Sequence, residues 1–447
     1  MSCIFFIAIL WILLRKKRKK FGNMRVYCET YGCTANRGDS EIILGELAAA
    51  GHQVTKNLNE ADLVVVNTCA VKGKTHQRML RRLRELREMN GKRVIVAGCL
   101  PLIDLPSVER IGEFAGIISC RSIPTLSKVV EMVSMGAQNV RMLEPVRCEK
   151  PEMPKLRESE VSAVVQICEG CVSNCSYCSV RFARGRLHSF RREAILKEVT
   201  KAISSGCREI LLTAQDAGAY GLDTGTSLPE LLRSICELDG NFKVRVGMMN
   251  PKNVLGILPD LLQAYGDEKI YKFLHLPVQS GDDDILRSMR RGYEVSDFIQ
   301  IVEEFRESFP DLYLATDIIV GFPGEGEKEF THTLEVIEKV KPDKVNLSRF
   351  SPMPGTDAAR IPGPGGNEVA ERSRRLAARC LEIGHERNKR YLGKVLEGLI
   401  TGPGKKGGLV ARLGNYRPTI VDGGTPGEHI KLKIVDARPT YLIGRKT

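Results

Sequence analysis

The sequence predicts an α/β chain: an N-terminal α/β parallel-sheet domain, a partial (β/α)6 barrel, and a small C-terminal antiparallel β-barrel of OB-like type. Three observations carry this. Short apolar runs alternate with helical-period stretches over two separate regions, the pattern of strand–helix units in parallel sheets. A Pro- and charge-rich linker, EPVRCEKPEMPKLRESE, divides those regions. From residue 391 the pattern changes to short runs punctuated by Gly and Pro, as a small closed barrel requires. The expected boundaries are a leader at 1–23, a first domain at 24–140, a second at 160–383 and a third at 384–447.

At 447 residues, 43% hydrophobic and 27% charged, the chain has the composition of a soluble globular protein with room for several cores. The leader holds an apolar run from Cys3 to Leu14, then RKKRKK. A membrane helix needs about 20 apolar residues, and a secretory signal carries its charges before the apolar stretch. Met24 is therefore read as the working start, with a short membrane or interfacial anchor as the alternative and a cytoplasmic location expected. Of the net charge of +13, the leader supplies +6 and residues 385–447 supply +8, leaving the body near neutral at −1. A basic terminal domain points to a polyanion partner, most often nucleic acid.

In the first domain, strands are expected at Met24–Cys28, Leu63–Asn67, Val94–Ala97 and Ala115–Ile118, with helices at 38–50, 73–89, 101–110 and 123–134. Three cysteines follow successive strands: Cys33 in YGCTANRGDSE, Cys69 in NTCAV and Cys99 in AGCLP. Ligands of open α/β sheets bind at the carboxyl ends of strands. Three thiols placed there converge despite their separation in sequence and form a three-thiolate site. Singly, each would read as a small buried core residue.

In the second domain, strands are expected at 163–168, 209–214, 243–248, 272–276, 313–319 and 344–349, with helices at 192–205, 227–238, 254–265, 281–308 (broken at Gly292) and 325–340. The loop after the first strand holds Cys171, Cys175 and Cys178 in a Cys-x3-Cys-x2-Cys row. Iron–sulfur clusters normally take four cysteines, so three leave one iron open to a substrate or cofactor. The competing reading, structural zinc, usually wants four ligands, and no fourth Cys or His follows at a matching distance. Tyr177 offers a ring to cover a cluster or an adenine. The fourteen cysteines do not form the framework of a small disulfide-bonded domain. Cys28, Cys120, Cys148, Cys168, Cys207, Cys236 and Cys380 are read as free thiols.

The last domain carries Lys405, Lys406, Arg412, Arg417, Lys431, Lys433, Arg438 and Arg445 as cations for a nucleic-acid groove. Tyr416 and Tyr441 are either stacking faces or barrel packing.

Taken together, GCTANRGDSE, NTCAV, AGCLP, CVSNCSYC, HLPVQSGDDDILRSMRRGY, TDIIVGFPGE and FSPMPGT resemble, in order, the blocks of radical S-adenosylmethionine (SAM) methylthiotransferases. The resemblance covers essentially all of 24–447 and implies a radical SAM barrel followed by a TRAM domain. It implies two 4Fe-4S clusters. The one on Cys171, Cys175 and Cys178 binds SAM; the auxiliary one on Cys33, Cys69 and Cys99 holds the sulfur to be transferred. SVRFARGRLHSF after the third cluster cysteine is similar to the archaeal and eukaryotic branch, which implies N6-threonylcarbamoyladenosine of tRNA as substrate. Isopentenyladenosine, a ribosomal-protein aspartate and a non-enzymatic RNA-binding protein are the alternatives. The resemblance further suggests Gln215, Asp216, His275, Gln279, Ser280 and Arg184 as SAM contacts, although TAQDAG stands where many relatives have Gly-Gly-Glu. Arg184 is also weighed as a contact to RNA phosphate or a surface ion pair. Expected partners are tRNA, a low-potential electron donor and a sulfur donor, with no obligate protein partner.

Overall fold

Leu63–Thr68 (LVVVNT) is buried at all six positions because it runs through the middle of a parallel sheet covered on both faces. The computed structural model describes residues 23–70, 73–89 and 91–447. Of the leader expected at 1–23, residues 1–22 lie outside the described residues. Among the described residues no helix is long and apolar enough to cross a membrane.

The chain forms two units, one ending at Leu156 but including Phe182–Arg184, the other made of Arg157–Arg181 and Gly185–Thr447. In the first, strands β1 (Arg25–Thr30), β2 (Gln53–Val54), β3 (Leu63–Thr68), β4 (Arg93–Gly98), β5 (Gly116–Ile118) and β6 (Val140–Met142) form one sheet in the order β2-β1-β3-β4-β5-β6. All neighbours are parallel. The two edge strands, β2 and β6, escape sequence reading because two or three residues make no periodic run. The helices are α1 (Thr34–Ala49), α2 (Gly73–Glu88), α3 (Leu100–Ile103), α4 (Leu105–Glu109) and α5 (Leu126–Ser134). The single helix expected at 101–110 is broken at Asp104, whose side chain accepts from the Ser107 amide and starts a new helix. Ile42, Ile43 and Leu47 of α1 pack with Val129, Val130 and Val133 of α5 over the sheet.

The second unit contains β7 (Ser162–Gln166), a small hairpin of β8 (Cys168–Glu169) and β9 (His188–Ser189), then β10 (Glu209–Thr213), β11 (Lys243–Arg245), β12 (Phe273–His275), β13 (Tyr313–Val320) and β14 (Lys344–Arg349). β7, β10 and β11 pair in parallel, as do β12, β13 and β14, and a bridge between Val244 and Ile270 continues the curve. The result is a partial (β/α)6 barrel, as expected. The helix expected at 254–265 is two, Pro251–Leu255 and Leu258–Tyr265, and the short helix α6 (Val180–Arg184) is additional.

The long helix Gly366–Lys389 leads to β15 (Val395–Pro403), β16 (Leu409–Leu413), β17 (Pro418–Val421), β18 (His429–Ala437) and β19 (Leu442–Lys446), which close in the order β15-β16-β17-β19-β18. The pairing is antiparallel except between β17 and β19, which run parallel and correct the all-antiparallel expectation.

Two residues assigned to a nucleic-acid groove are used inside the fold. Arg417 is 1% exposed; it pairs with Asp343 at 2.6 Å, bonds Asn388, and lies over the rings of Tyr313 and Tyr391. Tyr416 packs against Tyr271 and Phe273, with Arg412 over its ring. The reason is Asp343: a buried carboxylate needs cations, and Arg387 and Arg417 both supply them. Burial pushes the Asp343 carboxyl up, and the two guanidiniums outweigh it, leaving the group below the ordinary carboxylate range.

Arg417→Ala is expected to cost about 3–5 kcal/mol, the usual penalty for breaking a buried pair, and to lower the midpoint of thermal unfolding. Because the Asp343 value is depressed on folding, its contribution is present above the ordinary carboxylate range and lost as pH falls through the lowered value. The gap between wild type and variant should therefore shrink in acid. Equal midpoints at neutral pH would show that the pair does not hold the barrel.

Candidate active site: two sets of strand-end cysteines

Cys33 occupies the N-cap position of α1 in an extended conformation, with no side-chain cap bond. Its neighbour Gly32 sits at φ +115°, and a Cβ there would lie 2.5 Å from Cys69 Cβ and 2.9 Å from Cys69 Sγ. Only glycine lets the first strand-end turn approach Cys69 so closely. Cys99 follows Gly98, also at positive φ, whose missing Cβ would strike the Thr68 carbonyl at 2.4 Å.

Asn36, fully buried on α1, ties these turns together. Its Nδ2 donates to the carbonyls of Tyr31 (2.8 Å) and Thr68 (3.0 Å). Its Oδ1 lies 3.9 Å from Cys33 Sγ and 3.7 Å from Cys99 Sγ, and accepts from Arg184 at 2.7 Å. The structure thus places Cys33 and Cys99 on one side chain, with Cys69 against the neighbouring Gly32 turn.

Arg184 is placed here, inside the first unit, rather than free for SAM or RNA. It is 4% exposed and pairs with Asp39 at 2.6 Å; Lys150 pairs with the same carboxylate at 2.8 Å. The physical reason is again a buried carboxylate that needs cations. Arg184 and Cys120 also hydrogen-bond Cys99, whose thiol falls to about 6, through the Cys120 bond first and against the upward push of burial. Cys120 is buried, and its Sγ donates to the Ala183 carbonyl at 3.2 Å. It stands just past β5, as Cys69 and Cys99 stand past β3 and β4, and that placement was the available signal. Asn36 and Asp39 lie in the quoted block GCTANRGDSE, one helical turn apart, without having been singled out.

In the second unit two sulfurs of the cysteine row have a donor: the Ser173 amide bonds Cys171 Sγ at 3.4 Å and Arg291 Nη1 bonds Cys175 Sγ at 3.4 Å. Burial raises the Cys171 thiol and pushes Cys178 to about 12. Such thiols become thiolates when a metal displaces their protons, and amide and guanidinium donors suit the negative sulfur that results. Among the described residues no three His, Cys, Asp or Glu side chains crowd one point as a single ion demands. A cluster ligated through one cysteine per iron makes no such demand.

Arg291, 7% exposed, also donates to Asn250 Oδ1 and the Pro277 carbonyl. It lies in RSMRRGY, a block noted as a whole with no residue in it assigned a task. Gln215 Oε1 accepts from the Gly170 amide at 2.8 Å and so steadies the start of the cysteine loop. Asp216 is buried, with one carboxylate oxygen on the Asn250 amide and the other on Asn253. Its bonds go to neighbouring strand ends. His275 Nε2 faces Asp317 Oδ1 at 3.2 Å, and Asn346 donates to the same oxygen. Gln279 holds φ at 71°, bonded through its own amide and carbonyl to β13, a strained conformation of the kind found at binding sites. Ser280 Oγ accepts from the Asp282 amide. Tyr177 packs edge-on against Phe322 beside the row.

Asn36→Ala is expected to leave the Tyr31 and Thr68 carbonyls without this donor and to loosen the turns carrying Cys33, Cys69 and Cys99. Anaerobic alkylation followed by peptide mass spectrometry should show Cys69 and Cys99 reacting at least several-fold faster, with Cys171, Cys175 and Cys178 unchanged. Unaltered rates would remove Asn36 from the organisation of the site.

Three family models match the chain in order: Uncharacterized protein family UPF0004 over residues 25–116, the Radical SAM superfamily over 165–337 and the TRAM domain over 389–447. The probable threonylcarbamoyladenosine tRNA methylthiotransferase of Pyrococcus abyssi (strain GE5 / Orsay) is 47% identical over 423 residues, 94% of this chain and 99% of that protein. Its namesake in Archaeoglobus fulgidus is 45% identical over 429 residues, 94% of this chain and 98% of that protein. The threonylcarbamoyladenosine tRNA methylthiotransferase of Xenopus laevis is 33% identical over 350 residues, 76% of this chain and 62% of that protein. Among solved structures, the radical S-adenosylmethionine methyltransferase TsrM from Kitasatospora setae, with tryptophan and a SAM analog bound, gives a TM-score of 0.56 at 14% identity over 86% of this chain and 78% of that one. That likeness is one of fold. The sequence relatives carry more, and by them the chain belongs to the threonylcarbamoyladenosine tRNA methylthiotransferase family of the radical SAM superfamily.

Proposed function

We propose that this chain transfers a methylthio group to carbon-2 of N6-threonylcarbamoyladenosine beside the tRNA anticodon, using two SAM molecules and two 4Fe-4S clusters. The observation that supports it most is the duplication of the thiol set. The first unit carries Cys33, Cys69 and Cys99 on strand-end loops, with Cys120 a further thiol past β5, and the second carries Cys171, Cys175 and Cys178; donors stand beside both sets, and the chain belongs to a family named for this reaction.

In this reading Cys171, Cys175 and Cys178 hold the SAM-binding cluster, and Cys33, Cys69 and Cys99 hold the auxiliary one. When bound, the first would supply the electron that cleaves SAM and the second the sulfur that is transferred. The chain's own residues then position and shield. Arg291 fixes the Cys175 sulfur and, through Asn250, the loop after β11. Gln215 anchors the cysteine loop through Gly170, and Asp216 holds Asn250 and Asn253 in place. Tyr177 and Phe322 form an apolar wall that keeps water from the row. His275, Gln279 and Ser280 offer polar atoms to SAM from the β12 end. Arg184 and Asn36 orient the auxiliary thiols. Exposed Lys405, Lys406, Lys431, Lys433, Arg438 and Arg445 meet tRNA phosphates from the last barrel. Electron and sulfur donors are separate partners, and the location is the cytoplasm.

Mass spectrometry of digested tRNA nucleosides, with and without the gene, tests the reading. The expected result is loss of the methylthio form and accumulation of threonylcarbamoyladenosine; an unchanged nucleoside profile would overturn it. The division of labour has its own check in reconstituted protein. Cys175→Ala should abolish 5′-deoxyadenosine formation from SAM, whereas Cys69→Ala should spare part of it and stop methylthiolation. Equal loss of SAM cleavage in both variants would merge the two roles.

A further inference from the structure

A recess of about 720 Å³ opens in the first unit at the amino ends of the strands, the opposite end of the sheet from Cys33, Cys69 and Cys99. It is lined by the last turns of α2, the start of β4, the end of α4 and the residues before β5. Five cations line it (Arg84, Arg87, Lys92, Arg93 and Arg110), against Glu88 and Glu113. Among the described residues none of the five has an ion-pair partner. Arg110 donates to Ser107, Lys92 to the carbonyls of Asn59 and Ala61, and Arg93 contacts Met24 Sδ.

Helix α2 shows how unusual this is. On its other sides Arg82 is paired with Glu29 and Glu85, Arg81 with Glu85, and Arg78 lies over Tyr31. Arg84 and Arg87, on the recess side, have no acid. A helix C-terminus attracts one or two cations through its partial negative charge, which accounts for Arg87. It does not account for Lys92 and Arg93 at the head of a strand or for Arg110 beyond α4. Unpaired like charges repel and burden the fold unless an anion joins them. Four of the five are arginines, whose planar fork matches phosphate oxygens in pairs. The space is larger than one phosphate needs.

We propose that this recess binds backbone phosphates of the tRNA substrate at a point remote from the base being modified, giving the first unit a grip on RNA separate from the terminal barrel. The proposal rests on the tRNA reading above. β4 spans six residues, about 20 Å at strand rise, so phosphates held here are well removed from the strand-end thiols. The recess therefore serves affinity and orientation rather than chemistry.

The test measures binding of full-length protein to full-length tRNA across a salt series. The triple variant Arg84→Ala/Arg93→Ala/Arg110→Ala is expected to weaken binding by on the order of tenfold or more at physiological salt and to make the log–log salt slope shallower by about 2–3. Arg81→Ala, which removes a cation outside the recess, should leave the slope unchanged. Glu88→Gln/Glu113→Gln, with little risk to folding, should tighten tRNA several-fold. An unchanged slope in the triple variant together with no tightening in the glutamine variant overturns the proposal. Tripolyphosphate serves as a small-ligand probe: if the triple variant loses tripolyphosphate binding but keeps the tRNA slope, the occupant is a small phosphate compound and the RNA assignment falls. The two readings fail separately. A lost salt-slope effect with an intact methylthio product sinks only the recess, and an unchanged nucleoside profile with the slope effect present sinks only the reaction.

Discussion

In a parallel sheet each strand must be reached by a crossover, so every strand's carboxyl end lies on the same edge. Both units of this chain are built on that constraint. It lets Cys33 and Cys99, far apart in sequence, both reach Asn36, with Cys69 at the end of the strand between them. It also gathers Gln215, Asn250, His275, Gln279 and Asp317 on the edge that carries the cysteine row. The thiols need not be neighbours in sequence; they need only follow strands. Glycine completes the arrangement, since the turns at Gly32 and Gly98 press against backbone or side chain where a Cβ has no room.

The strand-end placement is what made the cysteines legible. Apolar runs located the main strands to within a residue or two, except β11, which ends three residues before its expected end, and each Cys could be assigned to an edge by counting past its strand. The partners of those cysteines were not legible in the same way. Asn36, Asp39 and Arg291 are polar residues in polar-looking segments, and nothing in local sequence says that a polar side chain is buried. Cys120 obeys the strand-end rule but follows β5, a strand of three residues, and was left among the free thiols. Edge strands β2 and β6 and the parallel closure of β17 on β19 depend on pairing partners far away in sequence, so periodicity carried no trace of them.

Three arginines show the same limit from another side. Arg184, Arg291 and Arg417 were read, or passed over, as surface cations, yet each is buried and answers a specific acceptor: Asp39 and Asn36, Cys175 and Asn250, Asp343 and Asn388. Taking a guanidinium out of water is costly, and its five donors make it unforgiving of partial satisfaction. Where such a group is buried, it fixes the relative position of everything it touches. That is why Arg417 locks the terminal barrel onto the helix and strand that precede it, and why Arg184 is held between Asp39 and Asn36.

The charge left over after these internal pairings is the more informative part of the net +13. Sequence arithmetic located it in the terminal domain and called the body neutral, which is true of the sum and false of the surface. Acids of the body pair with arginines and lysines such as Arg82, Lys150 and Arg387, while the five cations lining the recess at the amino ends of the first sheet outnumber its two acids, Glu88 and Glu113, and have no ion-pair partner among the described residues. A near-zero total thus conceals a positive face. The first unit has two working ends by the same parallel geometry: carboxyl ends that gather thiols, and amino ends free to gather charge. Under the proposed tRNA reading, a long RNA can be addressed at the thiol end and held at the other, which a small-molecule substrate could not be.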